Sequence, residues 1–164
     1  MFDADDLLDL HPRRKFERML VTHCAGGDPF ALMLVNLDHF KTVAAQHGAN
    51  VADLLLFEVT ARLRQRLSPR NVIMRCGDSQ FAVLVPCLED IENATQLASS
   101  LIERVEASMT VSGIRFRLTA SVGISLFPRH GKDWKALLLS ADTAAYDART
   151  QGRGRISVSI PTVR

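Results

Sequence analysis

Charge of one sign is not in surplus in this chain. Its 20 lysines and arginines stand against 18 aspartates and glutamates, a formal net charge of +2. The longest basic run is Arg13-Arg14-Lys15, too short for the stripe a nucleic acid requires, so no nucleic-acid partner is expected. Cysteine is scarce. Cys24, Cys76 and Cys87 form no Cys-x-x-Cys pair and no even framework, which argues for reduced thiols in the cytoplasm and against a disulfide scaffold. Long hydrophobic runs are missing. No apolar stretch approaches the ~20 residues that cross a bilayer, so no membrane contact is expected. Residues 1–10 are acidic rather than basic and then apolar, which is not the pattern of a secretory leader. His11, His23, His39, His47 and His130 share no metal-ligand spacing and are expected at the surface or on helix flanks. No serine–histidine–aspartate order and no Walker-type glycine-rich loop is present. With no repeat or linker to divide it, the chain reads as one domain over residues 1–164, large enough to bury a core without staples.

What is present is an interleaving of helical and extended patterns. Pro12 suits an early helical position, Phe16, Leu20 and Cys24 recur at helical spacing, and Gly26-Gly27 stop the helix. The apolar run Phe30-Ala31-Leu32-Met33-Leu34-Val35 predicts a central strand covered on both faces. Asn36-Leu37-Asp38 ends it, with Asp38 expected to cap a short helix over residues 39–46 that Gly48 breaks. A long helix over residues 51–67 places Leu55, Val59, Leu63 and Leu67 on one stripe and leaves Arg62, Arg64 and Arg66 largely off it. Val72-Ile73-Met74 and Phe81-Ala82-Val83-Leu84-Val85 then flank a polar turn, the pattern of a β-hairpin. A helix carrying Leu97, Leu101, Ile102 and Val105 follows, and Val111-Ser112-Gly113 reads as a turn. From Arg115, strict alternation sets Phe116, Leu118, Ala120, Val122, Ile124 and Leu126 on one face, predicting one long half-buried strand. The last helix spans residues 133–150, with Leu138, Ala141, Ala145 and Ala148 inward and Trp134 and Tyr146 packed onto it; a closing strand covers residues 156–160. A hairpin within this order predicts an α+β fold with a mostly antiparallel mixed sheet flanked by helices.

The hairpin turn is the most informative segment: Arg75-Cys76-Gly77-Asp78-Ser79-Gln80-Phe81. Its position and flanks resemble the signature hairpin of the GGDEF family, the bacterial diguanylate cyclases, which reads Gly-Gly-Asp/Glu-Glu-Phe. Separate blocks carry the same resemblance. Asp5-Asp6-Leu7-Leu8-Asp9-Leu10-His11-Pro12-Arg13-Arg14 looks like the family's opening segment, although its Thr, Gly and Asn are replaced. Val35-Asn36-Leu37-Asp38-His39-Phe40-Lys41 is similar to its Asp-x-Asp-x-Phe-Lys run, and Ala120-Ser121-Val122-Gly123-Ile124-Ser125 to its Ser-x-Gly-x strand. Ala141-Asp142-Thr143-Ala144-Ala145-Tyr146-Asp147-Ala148-Arg149, continuing to Gly152-Arg153, resembles the helix that carries its phosphate-side basic pair. The resemblance implies a palm-like nucleotidyl-cyclase fold.

It also implies a chemistry that this chain lacks the residues to perform. In the family two facing domains each hold one GTP, and the 3′-hydroxyl of one attacks the α-phosphate of the other. Mg²⁺ and cationic side chains meet the charge that develops. The metal is held there by two carboxylates, whose positions here are Asn36 and Ser79, and the fourth signature position is Gln80. Neutral oxygens bring no charge to a hard dication, and a serine hydroxyl is no general base near neutral pH. Lewis-acid stabilisation is worth several kcal/mol, so losing most of it costs on the order of a thousandfold in rate. Asp78 replaces the second glycine, where it intrudes on the nucleotide; its alternative role is a displaced metal ligand beside Asp38. The resemblance further assigns guanine reading to the positions of Ala44 and Asp53, and phosphate contacts to Phe40, Lys41, Arg149 and Arg153. Each retained residue has a plainer reading: helix-dipole compensation for Asp53 at one helix start and for Arg149 and Arg153 at another's end, and solvated surface for Lys41. Cys76 reads as core-lining. The inhibitory Arg-x-x-Asp site of many cyclases corresponds to Ser68-Pro69-Arg70-Asn71, with neither charged partner in place.

The expectation is therefore a degenerate GGDEF domain without cyclase activity. It would serve as a regulatory or interaction module in bacterial cyclic di-GMP signalling, with no catalytic residues, no resident metal, and Mg²⁺ only alongside residual GTP binding. The alternative is a slow diguanylate cyclase acting as a homodimer. Leu126-Phe127-Pro128-Arg129-His130-Gly131 resembles versions found beside EAL domains. An EAL or sensory neighbour in a longer parent chain is the expected partner.

Overall fold

The computed structural model describes residues 12–152 and 154–159. Residues 5–11 of the opening motif, Arg153 and the last residue of the expected closing strand lie outside them. In chain order the elements are α1 (Arg13–Gly26), β1 (Phe30–Asp38), α2 (Phe40–His47), α3 (Ala49–Arg66), β2 (Val72–Arg75), β3 (Gln80–Pro86), α4 (Ile91–Glu106), β4 (Met109–Val111), β5 (Ile114–Phe116), β6 (Thr119–Phe127), α5 (Trp134–Thr150) and β7 (Ile156–Val158).

Five strands form one sheet in the order β2-β3-β1-β6-β7. Every pairing in it is antiparallel except β6 with β7, so the sheet is mixed, as expected. Helices cover both faces. Met33, Val35, Val83 and Ile124 point into a core with α3 and α4. Leu32, Leu34, Met74 and Leu84 point into a second core with Phe16 and Leu20 of α1 and Leu137, Ala141 and Ala145 of α5. β1 lies in the middle with every residue buried, which is why its sequence is an unbroken apolar run.

The long strand expected from Arg115 onward is two strands. β5 pairs with β4 as a separate hairpin, and β6 joins the main sheet. Ser112 and Gly113 link β4 to β5 with φ of 50° and 77°, the positive values a two-residue hairpin turn needs. Nor is β6 half-buried, since only Thr119 is exposed along it. Its inner serines are satisfied: Ser121 Oγ donates to Asp38, and Ser125 Oγ donates to the Leu137 carbonyl at 2.9 Å. α5 crosses β6 so closely at Gly123 that a Cβ there would lie 2.2 Å from the Ala141 carbonyl oxygen.

Other expectations change with tertiary contact. Arg62, off the stripe, is buried; its guanidinium donates to the carbonyls of Arg104 in the last turn of α4 and of Ala107 and Ser108 just beyond it, and pairs with Glu58. On α5 the fully buried leucine is Leu137, with Leu138 at the core's edge, and Tyr146 is exposed rather than packed inward. His130 is buried, where its Nδ1 accepts from the Leu126 N–H at 2.8 Å and its Nε2 has no partner. Burial, then the nearby Arg129 charge, hold its pKa below the usual histidine value. No described helix is long and apolar enough to cross a membrane.

Candidate functional site

The hairpin between β2 and β3 docks its tip on the end of β1. Leu37 N–H donates to the Ser79 carbonyl at 2.8 Å, and Cys76 N–H to the Gln80 carbonyl at 2.8 Å. Register places Asn36 opposite Gln80 on one side and Ser121 on the other. Arg75 folds back over the turn, its Nε donating to the Gly77 carbonyl at 2.9 Å. The two positions that the family resemblance assigns to metal ligands, Asn36 and Ser79, are thus brought to one end of the sheet.

Two cavities open there and share Phe40 and Lys41 from the first turn of α2. The first, about 330 Å³, is lined by residues 37–42 together with Ser79 and Arg149. The second, about 270 Å³, is lined by Phe40, Lys41, Ala44, Asp53, Leu56, Arg75 and Asp78, with Ala49 and Ala52. Of the nucleotide-binding candidates, Phe40, Lys41 and Arg149 therefore meet in the first cavity, and Phe40, Lys41 and Asp53 in the second. Among the signature residues, Ser79 faces the first cavity and Asp78 the second. Phe81 is fully buried in the core. Gln80 turns to a third cavity of about 410 Å³ on the other side of the hairpin, with Arg13, Phe16, Glu17, Met74, Cys76 and Asp142. Asp53 lies beyond the first turn of α3, which begins at Ala49 and has no acid in that turn, so helix-dipole compensation is the weaker account of it. Arg149 does occupy the last turn of α5, and its guanidinium lies 6.0 Å from the Tyr146 ring centroid.

Asp38 is not the helix cap expected of it. The cap position of α2 belongs to His39, which has a φ of 59° and no capping side-chain bond. Asp38 remains in β1, only 5 % exposed. Its Oδ2 accepts from Thr119 Oγ1 at 2.7 Å and from the Gly154 N–H at 3.1 Å. Its Oδ1 accepts from Ser121 Oγ at 2.9 Å. This network was missed from the sequence. The only signal for it was a hydroxyl at alternate positions of the facing strand.

The donor set decides whether Mg²⁺ fits. The dication needs anionic oxygens in an open octahedron. Both oxygens of Asp38 are engaged in the network, Ser79 is a neutral hydroxyl, and Asn36 is a neutral buried amide. Asp78 lines the other cavity. Among the described residues no group of three histidine, cysteine, aspartate or glutamate side chains is placed to hold a metal. The residues present do not fit Mg²⁺. Cys76 offers no nucleophile either: burial, partly offset by Arg13 and reinforced by Asp142, pushes its thiol up to about 11.

Comparison with known proteins bears on what this scaffold is. A family model, "Diguanylate cyclase, GGDEF domain", matches residues 2–155. The bifunctional diguanylate cyclase/cyclic di-GMP phosphodiesterase MucR of Pseudomonas aeruginosa is 37% identical over 76% of this chain and 18% of its own length. The cyclic di-GMP phosphodiesterase NbdA of the same organism is 32% identical over 91% of this chain and 19% of its own. The chain thus spans about a fifth of these curated relatives. Among solved structures, the isolated GGDEF domain of TpbB from Pseudomonas aeruginosa superposes with a TM-score of 0.90 at 28% identity, over 95% of this chain and 94% of that one. Agreement of sequence, topology and extent leaves no room for a chance likeness at the hairpin alone, and this chain belongs to the diguanylate cyclase GGDEF domain family.

Proposed function

We propose that this GGDEF domain does not turn GTP into cyclic di-GMP and acts instead as a regulatory or interaction module in cyclic di-GMP signalling, retaining weak nucleotide binding. One observation carries the reading. The end of β1 and the hairpin tip meet as the family's site requires, yet they bring Asn36 and Ser79 where anionic ligands are needed. The slow-cyclase alternative needs Asp38 and Asp78 as substitute ligands. It is disfavoured because both Asp38 oxygens already accept from three donors and Asp78 lines a different cavity from Ser79.

Nucleotide binding would use the two joined cavities, with Lys41 and Arg149 toward the phosphates and Asp53 toward the base. Ala44 offers no side-chain hydrogen bond, so discrimination among purines is weaker than a fully polar pocket provides. The partner is a neighbouring EAL or sensory domain of a longer parent chain. Two features support this: the relatives are about five times longer than the matched segment, and MucR carries both a cyclase and a phosphodiesterase in its name.

The test is incubation of the purified protein with GTP and Mg²⁺ or Mn²⁺, with chromatography for cyclic di-GMP. No product above the enzyme-free blank is expected. Clear multiple turnover overturns the reading.

A further inference from the structure

The cavity at the end of β1 has cations but no available anion. Lys41 and Arg149 line it beside the Ser79 hydroxyl, and neither enters an ion pair among the described residues. Its one carboxylate, Asp38, already accepts from Thr119, Ser121 and the Gly154 N–H. Directly before the lining segment in β1, Asn36 is 7 % exposed and its Nδ2 donor has no partner. Neither Asn36 nor Ser79 brings negative charge to a dication. Lys41 and Arg149 offer a phosphate oxygen charge-assisted hydrogen bonds. The first turn of α2 faces the cavity, and its first main-chain bond runs from the Val43 N–H to His39, so the amides of residues 40–42 are not used by that helix.

Such a donor set suits an uncomplexed polyphosphate. We infer that this cavity takes the polyphosphate chain of a nucleotide without a divalent cation, so that Mg²⁺ opposes binding instead of enabling it. Chelation removes charge from the ligand that Lys41 and Arg149 would meet, and it places a dication against them with no carboxylate to receive it. This rests on the nucleotide-binding half of the reading above and not on its absence of turnover.

Calorimetry of the purified protein tests it, with GTP and inorganic tripolyphosphate as probes, each in EDTA and in excess Mg²⁺. Both probes should bind in EDTA. Excess Mg²⁺ should weaken each by about tenfold, as should Arg149→Ala in EDTA. Raising salt should weaken binding further. The double variant Asn36→Asp, Ser79→Glu should reverse the sign of the Mg²⁺ effect for GTP. Binding that appears only with Mg²⁺, binding in neither condition, or an unchanged Mg²⁺ effect in the double variant overturns the inference. If the double variant fails to fold by circular dichroism, Asn36→Asp alone takes its place, and the wild-type comparison stands without either. Cyclic di-GMP in the Mg²⁺ arm would end the no-turnover reading separately, whatever the EDTA arm shows.

Discussion

Asp38 illustrates how a single side chain changes meaning once the strands are paired. An aspartate just before a helix is a cap by local rule, yet here its carboxylate joins β1 to β6 and to the loop before β7. Two hydroxyls and a main-chain N–H converge on it in a nearly dry setting, where hydrogen bonds to a charged acceptor contribute about 1.5–3 kcal/mol each. Asp38→Ala should therefore lower unfolding free energy by about 3 kcal/mol, read from urea titrations. Asp38→Asn, which keeps the shape and one acceptor, should cost less. Equal stability of Asp38→Ala and the parent would remove the structural role assigned to this residue. The neutral identities of Asn36 and Ser79 needed only the aligned motif to be noticed. The engagement of Asp38 depended on a partner 81 residues away, which no local pattern carries.

At the level of elements, periodicity performed well where one helix face or one strand was at stake. Helix α3 begins two residues before its expected start, and Leu55, Val59 and Leu63 of its stripe are buried as the four-residue spacing implied, while Leu67 is the half-buried residue that ends the helix. It failed where alternation ran on between two separate strands. Arg117-Leu118 continue the in-out pattern of β5 and β6, so nothing local marked the point at which the chain leaves one sheet for another. Arg62 lies off the apolar stripe yet is buried, because the last turn of α4 and the two residues after it come close enough for their carbonyls to take the guanidinium. The packing of α5 on β6 yields the sharpest test at this scale. A Cβ at Gly123 would lie 2.2 Å from the Ala141 oxygen and 2.3 Å from the Ala145 nitrogen, both main-chain atoms that cannot rotate away. Gly123→Ala should push α5 off the sheet and cost about 3 kcal/mol or more. A thermal midpoint within a degree or so of the parent would show that the helix yields more easily than this packing implies.

Across the whole molecule, the class of fold was readable and its wiring was not. A hairpin among alternating helices and strands argues for a mixed sheet and the apolar run marks β1 as central, but the identity of its neighbours β3 and β6 follows from long-range pairing alone. His130 shows the consequence for global stability. Scattered histidines with no ligand spacing are ordinarily exposed, yet this one is enclosed by the turn after β6 and holds the Leu126 N–H through an unprotonated Nδ1. Its folded pKa is depressed, by burial first and by the Arg129 charge second. The unfolded chain therefore binds a proton more readily than the native one. Its contribution is complete above the ordinary histidine value of about 6.5, and it declines as pH falls through the lower folded value. The slope from this one group reaches at most about 1.4 kcal/mol per pH unit. Urea titrations between pH 8 and pH 5 should show stability falling on acidification, with a flatter profile in His130→Asn, whose side-chain oxygen still accepts the Leu126 N–H but takes up no proton. Parallel profiles in the two proteins, or a parent that gains stability on acidification, would contradict the buried neutral imidazole.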